Sequence, residues 1–326
     1  MSQSQPKPRS QHQSQPKPQS QPKQHPQPER QRVAITGASG LIGSALSAFL
    51  RERGDEVVHL VRREPRTSFE IGWDPASRTL DPGALSGLTA VVHLAGAGVG
   101  DHRWTPSYKK EILSSRVNGT ATVATALANL GEPIALVSGS AIGAYGNRGD
   151  EILTEDSKTG EGFLADVVHA WEAATAPAQA AGLRVVHART GVVLAHDGGA
   201  MARVLPLARL GLAGPLGNGR QYWSWITLHD ELRALTHLID QDLSGPVNLV
   251  SSQPMRQAEV MKILGAQLGR PAVLPAPALA LKIALGEFAS DVLGSQRILP
   301  SVLTASGFVF DHDTVESAMR WLVSQK

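Results

Sequence analysis

Residues 33–46 read VAITGASGLIGSAL, an apolar run that leads through a turn with glycines at 37, 40 and 43 into an amphipathic stretch. This pattern predicts a strand, a tight turn and a helix. Gly37 would make the turn, Gly40 would let the backbone approach a pyrophosphate, and Gly43 would let helix and strand pack closely. Unpaired N–H groups at the start of the helix attract an anion, and the helix dipole adds to this attraction. The stretch therefore predicts a dinucleotide site.

Strand and helix signals alternate beyond this unit. We expect apolar strands at 56–61, 90–94, 134–137 and 184–187, and helices at about 106–129 and 162–181. Strands separated by helices predict an α/β fold, a doubly wound parallel (Rossmann) sheet with helices on both faces. Ligands of such sheets bind beyond the carboxyl ends of the strands, so the site is expected where each strand ends.

Two arginines, Arg62 and Arg63, follow the second predicted strand about twenty residues after the last glycine of the turn. An NAD site places an acidic residue there for the ribose 2′-hydroxyl, whereas an arginine suits a 2′-phosphate. The alternative is that both charges are simply solvated, with Glu64 compensating part of them. We predict NADP rather than NAD as the cofactor.

The first 30 residues differ in composition from the rest and consist almost wholly of Gln, Ser, Pro, Lys and Arg. Such a segment cannot bury enough apolar surface to fold, so it is predicted to be disordered. Five basic residues against Glu29 give it a charge of +4, and the +2 of the whole chain leaves −2 for residues 31–326. The folded part has no basic face in its sequence, so we expect no nucleic-acid partner.

The chain has no cysteine, which excludes disulfides, thiolate metal sites and cysteine nucleophiles. The scattered histidines show no metal-ligand spacing, so no metal is expected. The N-terminal segment lacks the apolar run of a secretory signal, and charges and prolines interrupt the apolar stretch at 272–289. These features predict a cytoplasmic protein with a small-molecule substrate and no membrane partner, and they leave the oligomeric state open.

From about residue 250 the sequence indicates short helices at 256–268, 278–293 and 314–323, separated by prolines. They predict a small, mainly helical substrate domain that closes one side of the pocket. We therefore divide the chain into a tail (1–30), an NADP-binding Rossmann domain (31–250, with substrate-lobe segments from about 195) and a C-terminal helical cap (251–326).

Several strings in order resemble one protein superfamily. They are TGASGLIGSAL at 36–46, VVHLAGAG at 91–98, RTGVVLAHDGGAM at 189–201 and LGLAGPLGNGRQYWSWI at 210–226. Together they resemble the extended short-chain dehydrogenases/reductases, and more closely the atypical epimerase-family (YfcH-like) branch, which ends in a small C-terminal domain. The resemblance covers about residues 32–324. It implies NADP(H) binding on an oxidoreductase or epimerase scaffold.

The resemblance also implies which residues contact the cofactor. It places the pyrophosphate on the glycine turn, at Gly37, Ser39, Gly40, Leu41, Ile42 and Gly43. The 2′-phosphate would lie on Arg62, with Arg63 beside it. Backbone along the cofactor would come from Leu94, Ala95 and Gly96, side chains of the next helix from Glu111 and Arg116, and the nicotinamide end from Val193. The alternative for Glu111 and Arg116 is a helix-surface ion pair.

The Tyr-x-x-x-Lys pair on which this superfamily's proton transfer depends is absent, because Leu164 and Val168 occupy the expected positions. Ser140 and Tyr145 follow the strand where the superfamily keeps a substrate-orienting serine, and they are the candidate catalytic residues. The alternative is that both make hydrogen bonds within the turn.

Nucleotide-sugar members of the group carry an arginine where this chain has Trp223, which disfavours a sugar-nucleotide substrate. Tyr222, Trp223 and Trp225 suggest an aromatic wall for a planar or apolar ligand, or else core packing. The sequence thus favours an NADP-dependent oxidoreductase of a small, aromatic or apolar substrate. The alternative is a non-catalytic NADP(H)-binding regulatory or scaffold protein, similar to cell-division-inhibitor-like members of the branch.

Overall fold

A computed structural model describes residues 30–325 of the chain. The predicted tail at 1–30 lies outside the described residues, apart from Arg30. None of the helices within 30–325 has both the length and the hydropathy that crossing a membrane requires.

The described residues form fourteen strands and eleven α-helices. The strands are β1 Arg32–Thr36, β2 Glu56–Val61, β3 Glu70–Asp74, β4 Thr79–Leu80, β5 Ala90–His93, β6 Ala135–Ala141, β7 Ile152–Leu153, β8 Val185–Thr190, β9 Val192–Leu194, β10 Tyr222–Trp223, β11 Trp225–Thr227, β12 Gly245–Leu249, β13 Met255–Arg256 and β14 Arg297–Ile298. The helices are α1 Leu41–Arg53, α2 Pro106–Leu130, α3 Phe163–Ala173, α4 Ala176–Ala180, α5 Met201–Arg209, α6 Leu228–Asp240, α7 Gln257–Leu268, α8 Ala278–Leu285, α9 Ala289–Val292, α10 Ser301–Ala305 and α11 Val315–Ser324.

Eight strands form the central sheet, in the order β12-β8-β6-β5-β1-β2-β3-β4. All neighbours pair in parallel except β3 and β4. Residue Val33 of β1 pairs with Val57 of β2 on one side and with Ala90 of β5 on the other. The strand order reverses at β1, which is where doubly wound sheets bind nucleotides. The predicted Rossmann architecture is therefore confirmed.

Apolar side chains cover both faces of this sheet. On one face, α1 and α6 pack against β1, β5 and β12, with Leu46 and Leu235 fully buried. On the other, α2 packs with Val123 and Leu127 against β1, β5 and β6. In a third core, α5, α7 and α11 surround Trp225, so the segments from about residue 195 pack with residues 251–326. We use the term cap for this whole unit. The cap core fixes the C-terminal helices beside the carboxyl edge of the sheet.

Three details differ from the sequence prediction. The pair β3–β4 extends the sheet beyond β2 and was not predicted. The helix expected at 162–181 is divided into α3 and α4, because Pro177 has no N–H to continue the helical hydrogen bonds. The helix expected at 278–293 is divided at Gly286, whose φ of +63° ends α8.

Candidate functional site

The turn between β1 and α1 is built so closely that only glycine fits. A Cβ on Gly37, whose φ is +67°, would lie 2.9 Å from the amide nitrogen of Ala95. A Cβ on Gly43 would lie 2.2 Å from the carbonyl oxygen of Gly37. Helix α1 begins with Gly40 as its N-cap, without a side-chain cap or an acidic residue in its first turn. The first-turn amides, which include those of Leu41 and Ile42, are therefore free to bind an anion.

Thr36 connects this turn to the end of β5 through hydrogen bonds. The hydroxyl oxygen of Thr36 accepts hydrogen bonds from the amides of Leu94 (3.0 Å) and Ala95 (3.1 Å). Its proton is thus left to bond Nδ1 of His93, 2.8 Å away. Burial, together with the charge of Arg116, lowers the pKa of His93 to about 4, so the ring is neutral. Sequence reasoning missed this arrangement; its only signal was a threonine at the last position of β1.

The two arginines after β2 have different environments. Arg63 makes a bidentate ion pair with Glu70, at 2.5 and 2.9 Å, and this pairing lowers the pKa of Glu70 to about 2. Arg62 is exposed and makes no side-chain hydrogen bond within residues 30–325. Both border a groove of about 320 Å³ that also has Trp73 on its wall. Of the two, Arg62 is the guanidinium available to a ligand.

Arg116 supports the loop that follows β5. Its Nη1 donates to the carbonyl oxygens of Ala97 (2.8 Å) and Ile112 (3.1 Å), and its guanidinium lies 4.9 Å from the ring centre of Trp171. Burial lowers the pKa of Arg116 to about 10. A Cβ on Gly96 would lie 3.3 Å from this side chain. Arg116 thus holds the backbone expected to run along the cofactor.

Glu111 lies on the exposed side of α2, and the alternative Glu111–Arg116 ion pair is not formed among the described residues. Val193 lies on β9 and pairs with Ile226 of β11. The loop after β9 returns to the glycine turn, since a Cβ on Gly198 would lie 2.6 Å from the side chain of Leu41. The structure therefore brings the glycine turn and the segment after β9 to the same edge of the sheet.

The candidate catalytic Ser140 is engaged in a buried ion pair. Its hydroxyl donates to Oε1 of Glu172 at 2.6 Å, and Arg189 donates to both oxygens of that carboxylate at 2.8 Å. Burial raises the pKa of Glu172, but the bonds from Arg189 and Ser140 outweigh it and lower the pKa overall. The carboxylate is therefore charged, and the Ser140 proton is committed to it.

The other candidate, Tyr145, is fully buried. Its hydroxyl donates to Oδ1 of Asn248 at 2.8 Å and accepts from Nη1 of Arg189 at 3.0 Å. Burial also raises the pKa of Tyr145, which disfavours proton release. This geometry favours the alternative for Tyr145 and Ser140, in which both side chains hold the end of β6 in place through Glu172 and Arg189. Their catalytic role stays a prediction.

The positions expected for the tyrosine and lysine form an apolar surface. A Cβ on Gly143 would lie 3.3 Å from Cβ of Leu164 and 3.9 Å from Cγ2 of Val168. The two side chains of α3 thus pack against the turn that follows β6. Neither can exchange a proton with a substrate.

A cavity of about 320 Å³ lies between this turn, the start of α3 and the cap. It is lined by the ring of Trp104, the amides of Asn147 and Gln296, and carboxylates that include Asp291. Burial, with a contribution from Glu287, raises the pKa of Asp291 to about 6. The cavity therefore offers an aromatic face and hydrogen-bonding groups to a small molecule.

Two of the three residues of the predicted aromatic wall pack in the core. Trp225 is fully buried and Trp223 nearly so, both among the apolar residues of the cap. Tyr222 lies between the guanidinium groups of Arg256 and Arg297, at 4.1 and 5.0 Å from its ring centre. The core-packing alternative is therefore correct for the tryptophans.

One cluster has metal-ligand chemistry, formed by His229, Asp230 and His312, whose ligand atoms lie within 4.8 Å of one another. The Asp230 carboxylate is already saturated. It accepts from Arg233 (2.8 Å) and from the backbone amides of Asp311 (3.0 Å) and His312 (2.9 Å). The cluster joins α6 to the segment before α11, and we assign it no metal.

Comparison with known proteins agrees with this architecture. The NAD dependent epimerase/dehydratase family matches residues 33–250, and a domain of unknown function, DUF1731, matches residues 276–322. An epimerase family protein of Mycobacterium bovis is 45% identical over 295 residues, which cover 90% of this chain and 98% of the relative.

Solved structures are similar as well. The crystal structure of human epimerase family protein SDR39U1 (isoform 2) with NADPH has a TM-score of 0.83 and 31% identity, and the match covers 90% of this chain and all of that one. A nucleoside-diphosphate sugar epimerase from Corynebacterium glutamicum has a TM-score of 0.73 and 37% identity, with 89% of this chain and 57% of that chain covered. The chain described here belongs to the NAD-dependent epimerase/dehydratase family, within the extended short-chain dehydrogenases/reductases, and carries the C-terminal DUF1731 domain.

Proposed function

We propose that this protein binds NADP(H) and acts as an oxidoreductase on a small, aromatic or apolar substrate. The observation that carries the proposal is the glycine turn, where a Cβ on Gly37 or Gly43 would collide with backbone. Arg62 follows the neighbouring strand β2, and its side chain makes no hydrogen bond within residues 30–325. The human relative crystallised with NADPH supports the choice of cofactor. The predicted cytoplasmic location stays part of the proposal.

In this proposal the amides at the start of α1 bind the pyrophosphate, with Gly37, Ser39, Gly40, Leu41, Ile42 and Gly43 around it. Arg62 binds the 2′-phosphate, and Arg63 stays with Glu70. The backbone of Leu94, Ala95 and Gly96 runs along the cofactor and is held by Thr36 and Arg116. Glu111 stands at the outer side of α2, and Val193 is placed at the nicotinamide end.

The bound nicotinamide would supply or accept a hydride. The chain's own residues then have to position the substrate and exclude water. Leu164 and Val168 place aliphatic side chains at the positions where the superfamily has its proton-transferring tyrosine and lysine. The cavity beside them is lined in part by Trp104. Because Ser140 and Tyr145 are hydrogen-bonded to Glu172, Arg189 and Asn248, we propose that the proton for the substrate comes from another group. Asp291, on the wall of the cavity, is the titratable group that we propose to hold one.

The second candidate function is a non-catalytic NADP(H)-binding protein. The same apolar surface at Leu164 and Val168 favours it, since a protein without turnover needs no proton relay there. The two candidates share the cofactor site and differ only in whether hydride is transferred.

Two measurements test the proposal. Titration calorimetry should give a dissociation constant for NADPH at least about tenfold below that for NADH, because only NADPH carries the 2′-phosphate. Carbonyl and enone compounds are then added to the NADPH-loaded protein, and absorbance at the reduced-nicotinamide band is followed. Loss of absorbance supports the oxidoreductase, and an unchanged band across the panel with tight NADPH binding supports the non-catalytic protein. Absence of NADPH binding overturns both.

A further inference from the structure

Exposed aliphatic side chains are concentrated on one face of the cap. Of the eleven large hydrophobic residues exposed within residues 30–325, seven lie in two short segments, 207–212 and 273–283. We call these seven the cap apolar surface: Leu207, Leu210, Leu212, Val273, Leu274, Leu279 and Ile283. Each is about half exposed or more, which is unusual for so many large aliphatic residues close together in the chain.

The two segments lie side by side. A Cβ on Gly211 would lie 3.4 Å from the ring of Pro271. Further along, the amide of Gly217 donates to the carbonyl of Ala276 at 2.8 Å, and the amide of Ala276 donates to the carbonyl of Pro215 at 2.8 Å. The two segments that carry the cap apolar surface are therefore neighbours in the structure.

Helix α8 shows that no residue within 30–325 covers the patch. Its sequence is ALALKIAL, yet none of its eight residues is buried. A helix that is apolar on all sides is normally enclosed by protein or by lipid. Here Leu279 is 70% exposed and Ile283 is 67% exposed. The helix thus presents an apolar surface that residues 30–325 leave uncovered.

The charged residues in the two stretches of sequence that carry the patch are all basic. Residues 201–220 and 268–286 contain five basic residues and no Asp or Glu. The five are Arg203, Arg209, Arg220, Arg270 and Lys282. None of them makes an ion pair within the described part of the chain: Arg203 donates to the carbonyl of Gly100, and Arg209 bonds His196. Residues 31–326 as a whole carry −2, so positive charge is concentrated beside the apolar patch.

We propose that this face of the cap lies on an anionic lipid surface, with the cap apolar surface inserted among the acyl chains and the basic residues at the headgroups. Apolar side chains rimmed by lysine and arginine have the chemistry that such interfaces select. A second copy of the chain fits less well, because a two-fold interface would bring the same five positive charges together on both sides. The sequence predicted no membrane partner because no segment spans one, but lying on a surface needs no span.

The patch adjoins the cavity described above. Helix α8 ends at Leu285, and Glu287, Ser290 and Asp291, which follow it closely, line the cavity. An apolar compound dissolved in the lipid would therefore meet the protein close to its pocket. The membrane proposal does not depend on turnover, since it rests on the exposed surface and its charges alone.

Vesicle co-sedimentation of the full chain tests the proposal. Vesicles of phosphatidylcholine alone are compared with vesicles that also contain phosphatidylglycerol, at roughly physiological salt. We expect affinity for the anionic vesicles to be at least about tenfold higher and to fall as salt rises. The basic N-terminal tail is present in every variant, so differences between variants report on the cap.

Two matched pairs of variants identify the contact surface. Val273→Asp is compared with Val309→Asp, because both valines are 72% exposed but only Val273 lies in the patch. Lys282→Glu is compared with Lys158→Glu, an exposed lysine in another part of the structure. Val273→Asp and Lys282→Glu should each weaken vesicle binding about tenfold, while the two controls bind as the parent does. Unchanged melting temperature and NADPH affinity exclude misfolding.

Two results would overturn the proposal. In the first, all four variants bind anionic vesicles like the parent, which would assign the attraction to another part of the chain. In the second, sedimentation velocity without lipid shows the parent as a dimer and Val273→Asp as a monomer, which would make this face an interface between two copies.

Discussion

Ser140 donates a hydrogen bond of 2.6 Å to the Glu172 carboxylate, which Arg189 holds from the other side by two bonds of 2.8 Å. Arg189 is almost fully buried, so its charge depends on Glu172 for compensation. The serine therefore belongs to the framework at the end of β6. Because of this arrangement, substitutions of Ser140 and Glu172 can distinguish a positioning role of the serine from a catalytic role.

Ser140→Ala should cost about 1–2 kcal/mol of unfolding free energy, because one bond to a carboxylate is lost while the ion pair persists. Glu172→Gln should cost more, about 3–5 kcal/mol, because it leaves the buried Arg189 charge without its counter-ion. Urea unfolding measures both. For any substrate found by the cofactor-oxidation screen, Ser140→Ala should keep kcat within about tenfold. A drop in kcat of about a thousandfold in a folded variant would support a catalytic role for Ser140.

Arg62→Ala should remove most of the preference for NADPH over NADH, because it deletes the free guanidinium beside the groove at the end of β2. The matched control is Arg63→Ala, in which the lost side chain is one already paired with Glu70. Calorimetric titration with both cofactors gives the ratio of dissociation constants for each variant. Equal losses of preference in the two variants would contradict the distinct roles assigned to the two arginines.

Thr36→Val should weaken NADPH binding and lower stability by about 1–3 kcal/mol, because the amides of Leu94 and Ala95 lose their common acceptor. Thr36→Ser keeps a hydroxyl at the same place and is expected to bind NADPH nearly as the parent does. The measurements are thermal melts and NADPH titrations. Serine and valine variants of equal affinity would show that the hydroxyl does not hold the loop after β5.

Short sequence patterns predicted those parts of the structure that depend only on neighbouring residues. The glycines at 37, 40 and 43 require a particular backbone, so the β1–α1 turn follows from the sequence alone. The partners of Ser140 could not be predicted in the same way, since Glu172 lies on α3 and Arg189 on β8, and only the folded sheet brings them together.

The same limit applies to aromatic residues and to charges. Trp223 and Trp225 are residues of the type expected in an aromatic ligand site, but the helices of the cap cover them. Arg62 and Arg63 are equivalent in sequence, and only the position of Glu70 on β3, a strand that the sequence did not predict, distinguishes them. Contacts between residues that are distant in sequence therefore determine which of the candidate residues can bind a ligand.

Glu231 gives a prediction about pH. Its carboxyl group is fully buried on α6, where Oε1 accepts a hydrogen bond of 2.8 Å from Thr190 and Oε2 has no partner within residues 30–325. Burial raises its pKa from the ordinary 4.5 to about 8, against the smaller opposing effect of Thr190. Between these two pH values the folded protein holds a proton that the unfolded chain releases, so the free energy of unfolding falls as pH rises through this window.

Glu231→Gln should reduce the decrease in unfolding free energy with rising pH. The amide keeps an oxygen that accepts the hydrogen bond from Thr190, and it carries no charge that would have to be buried. Relative to the parent it should gain stability with rising pH, at up to about 1.4 kcal/mol per pH unit between about pH 5 and pH 8. Urea unfolding at several pH values measures the slope. Glu52→Gln, at an exposed glutamate of α1, is the control and should keep the slope of the parent. A Glu231→Gln slope equal to that of Glu52→Gln would show that the buried carboxyl titrates normally.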